Sequence, residues 1–347
     1  MNHQPYDNNY NRNKDDHKRS DQNNDQFIGP YKVITSVGEG TFGIVYKAVE
    51  PKQNILVAVK KIRKDMEKDG ISVTTAREIK HLQSVRHVNV IRLLDVFIEK
   101  EGLSMVFDYM DYDLTGLILH PNFKLEESHI KSFLQQMLRG LHALHERSIC
   151  HRDIKGSNVL IDKTGRLKLA DFGLSRFLST WKNKKVYTNR VITLWYRSPE
   201  LLLGGTSYGS EVDIWSTGCI LLEMFEGKNL FSANDEITQL DSIYELFGSE
   251  ELNKWPEAKN LPWYNMLSPR EVRPSTFETR FAGILNESAF DLASKLLCFN
   301  PNKRISAFDA LSHPYFSQEP SPRAPDLSSL DDFHEIDAKK HRNKDHN

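Results

Sequence analysis

The sequence predicts an α+β protein of two unequal lobes, a small β-rich one followed by a larger, mainly helical one. Two observations predict it. From Tyr31 to about Phe107, short runs rich in β-branched and aromatic residues dominate, and after Asp113 apolar residues recur at helical spacing. The pattern changes once, with no internal repeat. The expected boundaries are 31–106 for the small lobe, 107–112 for a hinge and 113–316 for the larger lobe.

The chain opens on residues 1–26, rich in Asn, Asp and Lys with almost no apolar content, which reads as a disordered tail. The strand signals follow: YKVITSVG, GIVYKAVE, LVAVKKI, VIRLLDVFI and LSMVFDY. One helix signal interrupts them, in SVTTAREIK at 72–80. Its first turn is β-branched and unfavourable, whereas Ala76, Arg77, Glu78 and Lys80 favour a helix. Such a conflict suggests that something outside the helix holds it. In the larger lobe Ile130, Phe133, Leu134, Met137, Leu138, Leu141 and Leu144 mark the clearest amphipathic helix. Residues 317–347 carry Pro320, Pro322 and Pro325 and read as a second disordered tail. Its basic run at 339–344 reads as a solvated tail, with a nuclear localisation patch as the alternative.

With 347 residues, 39% hydrophobic and 27% charged, the chain can bury a full core. The net charge of −1 points neither to direct nucleic-acid binding nor to an anionic membrane. No apolar run approaches the roughly 20 residues of a membrane span. Cys150, Cys219 and Cys298 are odd in number and far apart, which fits a reducing compartment, cytosol or nucleus.

Three stretches carry chemistry. The first is Val37-Gly38-Glu39-Gly40-Thr41-Phe42-Gly43-Ile44-Val45, a glycine loop between two strand signals. Its glycines let backbone amides approach a phosphate. Alone, the pattern fits a dinucleotide-binding turn or a plain hairpin equally well, but a strand rather than a helix follows. The second is Val57-Ala58-Val59-Lys60, where Lys60 is either an edge-strand charge or a phosphate ligand beneath that loop. The third is HRDIKGSN at 151–158, followed by Asp171-Phe172-Gly173. Asp153 can orient or accept a hydroxyl proton, while Asn158 and Asp171 can hold Mg²⁺. Each could be a polar turn, but their common order is hard to reach by chance.

On these motifs the chain resembles the eukaryotic protein kinases over residues 31–316. The resemblance implies ATP and Mg²⁺ as cofactors. Lys60, fixed by Glu78, would orient phosphates; Asn158 and Asp171 would hold the metal; Asp153 and Lys155 would act at the transferred group. Phe107 would guard the adenine pocket, with Asp108 to Met110 as the hinge that binds adenine. Glu200 would pair with Arg304, and Asp213 would brace the catalytic loop.

SVTTARE, YTNRVITLWYR at 187–197 and WPEAKNLPWYNML at 255–267 narrow the resemblance to cyclin-dependent kinases. That implies a cyclin-type subunit on the 73–84 helix, with a poorly held helix and Glu78 away from Lys60 in its absence. It implies Thr188 as a phosphosite for an activating kinase, received by Arg77, Arg152 and Arg176. It also implies Ser/Thr-Pro specificity, with Ile192 in an unusual conformation and its carbonyl held by Arg197. Phe42 stands where cell-cycle members carry an inhibitory tyrosine, which favours transcriptional members, and the combination of HRDIKGSNVLID, YTNRVITLWYR and LPWYNM resembles those acting in the nucleus on the RNA polymerase II C-terminal domain. The alternatives are an elongation-factor type, a cell-cycle type, or an inactive cyclin-binding scaffold. Ser198 and Ala76 depart from the family, the latter by removing a large aliphatic cyclin contact.

Overall fold

The computed structural model describes residues 26–40, 43–62, 72–99, 102–178 and 187–345. The first 25 residues, expected to be disordered, lie outside these, as do Thr41 and Phe42 of the glycine loop.

The small lobe is one antiparallel sheet of β1 (Phe27–Ile28), β2 (Tyr31–Gly40), β3 (Gly43–Glu50), β4 (Ile55–Ile62), β5 (Leu93–Glu99) and β6 (Gly102–Asp108), in the order β1-β2-β3-β4-β6-β5. Strand alternation sorts its side chains. Val57 and Val59 of β4 join Ile28, Tyr31, Ala48 and Val106 in a small core, so Ala58 and Lys60 take the other face. Helix α1 (Val73–Ser84) follows β4 in sequence. Its awkward first turn is held by Ser72, whose hydroxyl accepts from the Thr75 amide at 3.1 Å and lies 2.9 Å from the Thr75 hydroxyl. Thr75 is buried, whereas Val73 is 74% exposed.

The larger lobe begins with β7 (Tyr112–Asp113), α2 (Leu114–Ile118) and α3 (Glu127–His145). The apolar stripe of α3 is fully buried from Phe133 to Leu144, each such side chain contributing about 1.5–3 kcal/mol. Short strands β8 (Ile149–Cys150), β9 (Val159–Ile161), β10 (Leu167–Leu169) and β11 (Arg176–Phe177) carry the loops of the site. They pair as β10-β9-β7 and β11-β8. Then come α4 (Pro199–Leu202), the buried α5 (Glu211–Glu226) and α6 (Glu236–Phe247). Four short helices follow: α7 (Tyr264–Leu267), α8 (Phe277–Phe281), α9 (Glu287–Leu296) and α10 (Ala307–Leu311). One contiguous core joins Leu82, Met105 and Phe107 of the small lobe to these helices. Glu200 and Arg304 form the expected ion pair, bidentate at 2.8 and 2.9 Å and buried on both sides.

The expectation of a disordered tail at 317–347 is corrected. Residues 317–345 return along the molecule and end in helix α11 (Glu335–Asp345). Leu327 is completely buried, Phe333 pairs with Tyr112, and the Tyr112 hydroxyl donates to the Leu327 and Leu330 carbonyls. Asp332 accepts from Tyr109 at 2.9 Å and from Lys47 of β3. Prolines forbid a helix there but not an extended strap whose apolar residues find a groove. Among the described residues no helix is long and apolar enough to cross a membrane.

Candidate active site

The glycine loop is the β2–β3 hairpin. A Cβ on Gly43 would stand 2.1 Å from the Lys61 carbonyl oxygen, so the hairpin closes onto β4 only with glycine. At Gly38 the nearest atom to such a Cβ is Val45 at 3.9 Å, which leaves its inner face open. Beneath the hairpin lies a cavity of about 370 Å³. Val37, Gly38, Glu39 and Val45 line its roof, Ala58 and Lys60 its back, Phe107, Asp108 and Met110 its hinge edge, and Asn158 and Asp171 its floor. Gly40 and Ile44 are not among the lining residues; they pair in the hairpin, Gly40 with Gly43 and Glu39 with Ile44.

Lys60 Nζ bonds Glu78 at 2.9 Å and Asp171 at 3.3 Å. Burial opposes the Lys60 charge, but the Asp171 and Glu78 carboxylates together hold its pKa above the ordinary lysine value. At Asp171 burial works the other way, and the Lys60 ammonium outweighs it to hold the carboxyl below its usual range. The pair that was expected to stay open without a cyclin is closed in this single chain. Besides the Ser72 cap, a buried bond of 2.5 Å from His81 to Ser175 ties α1 to the segment after Asp171-Phe172-Gly173. Phe172 itself is buried against His151.

The catalytic loop is held from behind. Asp213 of α5 accepts from the His151 amide at 2.9 Å and the Arg152 amide at 2.8 Å. This bracing keeps Arg152 at φ 65°, a conformation that L residues rarely adopt. In front, the Asp153 carboxylate gathers three side-chain donors, Asn158 Nδ2, the Thr193 hydroxyl and Lys155 Nζ, each at 2.9 Å, and the Thr193 amide at 3.4 Å. Because Asn158 Nδ2 also donates to the Asp153 carbonyl, its Oδ1 is turned away from that loop. With the Asp171 carboxylate, that oxygen offers hard donors at the cavity floor, the kind of set that suits Mg²⁺.

The segment after the loop is strained where specificity was expected. Ile192, a β-branched residue, sits at φ 67°, and its carbonyl accepts from Arg197 at 3.1 Å. Arg197 also holds the Val191 carbonyl at 3.0 Å and pairs with Glu236 at 2.7 Å. Thr188 is exposed. Arg152 reaches it through Tyr208, whose hydroxyl bonds Arg152 at 3.0 Å and donates to the Thr188 carbonyl at 2.8 Å. Arg176 lies 5.2 Å from the Tyr187 ring, and the charges of Arg77 and Arg152 are both felt at His81.

Several residues of the site escaped sequence reading. Thr193 lies inside YTNRVITLWYR, where nothing local signals that its hydroxyl meets Asp153. Tyr208 carried no motif at all. The tail is the largest omission: His334, Glu335, Ile336 and Lys339 line the cavity beside the hinge. His334 Nε2 donates to the Met110 carbonyl at 3.2 Å, and the Glu335 amide donates to Asp113 at 2.8 Å. The spacing of Leu327, Leu330, Phe333 and Ile336 was the available signal.

Comparison with known proteins agrees with this geometry. Residues 31–316 match the family model of the protein kinase domain. The chain is 48% identical over 317 residues to the CTD kinase subunit alpha of Schizosaccharomyces pombe, covering 90% of this chain and 53% of the relative. The CTD kinase subunit alpha of Saccharomyces cerevisiae is 43% identical, covering 89% of this chain and 59% of its own. The chain thus spans somewhat over half the length of these relatives. A solved structure of the yeast RNA Pol II CTD kinase CTDK-1 complex superposes with a TM-score of 0.80 at 40% identity, covering 87% of this chain and 97% of that one. With its glycine hairpin, lysine–glutamate pair and braced catalytic loop in one bilobal frame, the chain belongs to the protein kinase domain family.

Proposed function

We propose that the protein transfers the γ-phosphoryl group of ATP to serine or threonine followed by proline, and that its substrate is the C-terminal domain of RNA polymerase II in the nucleus. The observation that carries the transfer step is the convergence of Lys155, Thr193 and Asn158 on one Asp153 carboxylate, Asn158 itself lining the floor of a nucleotide-sized cavity.

The chain's own residues divide the work. Asp108 and Met110 present hinge backbone to adenine, and the hairpin amides cover the phosphates. Lys60, kept charged by two carboxylates, binds phosphate oxygens. Asn158 Oδ1 and Asp171 would hold Mg²⁺, which when bound supplies positive charge against the phosphate oxygens. Asp153 accepts the bond of the substrate hydroxyl and takes its proton, and Lys155 offsets charge on the moving group. The contribution is mainly positioning and electrostatic. Proline specificity follows from Ile192 and Arg197. With the carbonyls of this segment occupied by Arg197, a substrate amide after the acceptor would lose its partner, and proline has no such amide.

The likeness to CTD kinase alpha subunits supports the polymerase domain as substrate and transcription as the process. It also supports a cyclin-type partner, which would seat on the exposed Val73 and Ala76 face of α1. Thr188 would be phosphorylated by an activating kinase, with Arg77, Arg152 and Arg176 receiving the phosphate. The test is turnover of a Ser-Pro peptide by Asp153→Ala within the purified complex. A loss of about 10²- to 10⁴-fold in kcat is expected. Near-full turnover would end the reading.

A further inference from the structure

A second cavity, about 380 Å³ in volume, begins at Lys155 and Thr193, two of the side chains bonded to Asp153. It runs from there between Thr115 on one wall and Glu335 and Lys339 of α11 on the other, with exposed Asn229 also on its lining. Both walls are tied to one carboxylate. Asp113 accepts from the Glu335 amide at 2.8 Å and from the Gly116 amide, next to Thr115, at 2.8 Å. The Thr115 wall is packed onto the catalytic loop, since a Cβ on Gly156 would meet Thr115 Oγ1 at 2.2 Å. Among the described residues, the charges that α11 brings to this cavity are Glu335 and Lys339, one helical turn apart and paired at 2.9 Å.

We propose that this cavity receives the substrate residues flanking the phosphoacceptor on the side away from Ile192, and that the Glu335–Lys339 pair selects uncharged side chains there. The inference rests on the kinase reading and deepens it. A peptide whose acceptor hydroxyl meets Asp153 must pass Thr193 in both directions. One direction leads to Ile192, whose carbonyl is filled by Arg197, and this cavity opens from Lys155 and Thr193 in the other. A charged side chain entering it would be drawn by one member of the pair and repelled by the other, and would give up hydration for no net partner. A hydroxyl, an amide or a small apolar group meets Thr115, Asn229 and Ala338 without that cost.

The experiment uses the full chain in its native complex at saturating ATP, because Glu335 and Lys339 also line the first cavity. Ser-Pro peptides carry Ala, Asp or Lys at each of the three positions before the acceptor, and kcat and KM are measured separately. Wild type is expected to favour the Ala peptides. Lys339→Glu should favour Lys over Asp peptides by up to about fivefold relative to wild type, through KM, and Glu335→Lys should do the reverse. The exchange carrying both substitutions should restore the wild-type ranking. Unchanged ranking in both single variants overturns the inference alone, as does a change confined to positions after the proline. No turnover of any peptide by wild type overturns the kinase reading and this inference with it.

Discussion

Helices α1 and α11 both border the nucleotide cavity, one through Glu78 and the other through Glu335, Ile336 and Lys339. They are held there differently. Helix α1 reaches inward with one buried carboxylate, tied to Lys60, and leaves Val73 exposed on another face. Helix α11 is pinned mainly through the strap before it: Asp332 to Lys47 and Tyr109, His334 to the Met110 carbonyl, and the Glu335 amide to Asp113. A helix held by its Ser72 cap, the Glu78–Lys60 pair and the His81–Ser175 bond, with Val73 and Ala76 open, can be tuned by whatever binds that open face. A helix strapped to the small lobe, the hinge and the large lobe instead fixes how those parts meet.

The comparison breaks most sharply at Glu78. Glu78→Ala should leave Lys60 sharing only Asp171, and breaking a buried pair costs about 3–5 kcal/mol. A fall of at least about 100-fold in kcat/KM is expected, measured by steady-state peptide phosphorylation. Activity within tenfold of wild type would show that α1 does not act through this pair. Removal of residues 326–345 tests the other helix. It should raise the KM for ATP by about tenfold, through lost hinge and cavity contacts, with a smaller change in kcat. An unchanged KM for ATP would mean that the strap only stabilises the fold.

A pH measurement sharpens the picture of α1. Burial, with the Arg77, Lys80 and Arg152 charges, lowers the His81 pKa to about 4. Since the unfolded imidazole titrates near its usual value of about 6.5, acidification protonates the unfolded state first. Stability conferred by neutral His81 is therefore complete above pH about 6.5 and is lost as pH falls towards about 4, by at most about 1.4 kcal/mol per pH unit. Denaturant midpoints of wild type and His81→Asn at pH 7 and pH 5 should differ less in the variant than in wild type. Equal slopes would remove His81 from the account. The smallest effect is expected at Ser198, outside both helices. Its hydroxyl is buried without a partner among the described residues, so Ser198→Ala should change stability by less than about 1 kcal/mol, and upward if at all. A clear loss of thermal stability would reveal a partner for that hydroxyl.

The sequence alone determined what local chemistry determines. Alternation in β4 set Lys60 opposite Val59, the α3 stripe marked the large-lobe core, and the strand signal after the glycine loop disfavoured a dinucleotide-binding turn. The order of the catalytic motifs named most of the residues that meet in the cavity. Tertiary structure decided the rest, where the partner is far along the chain and no local pattern records it. Thr193 meets Asp153 across 40 residues, Arg152 meets Tyr208 across 56, and Lys47 meets Asp332 across 285. The proline-rich tail has a composition that cannot build its own core, and so reads as disorder when taken by itself. It is ordered because Tyr112, Gly116 and the hinge, all outside the tail, supply a groove and hydrogen-bond partners for its backbone and for the His334 ring.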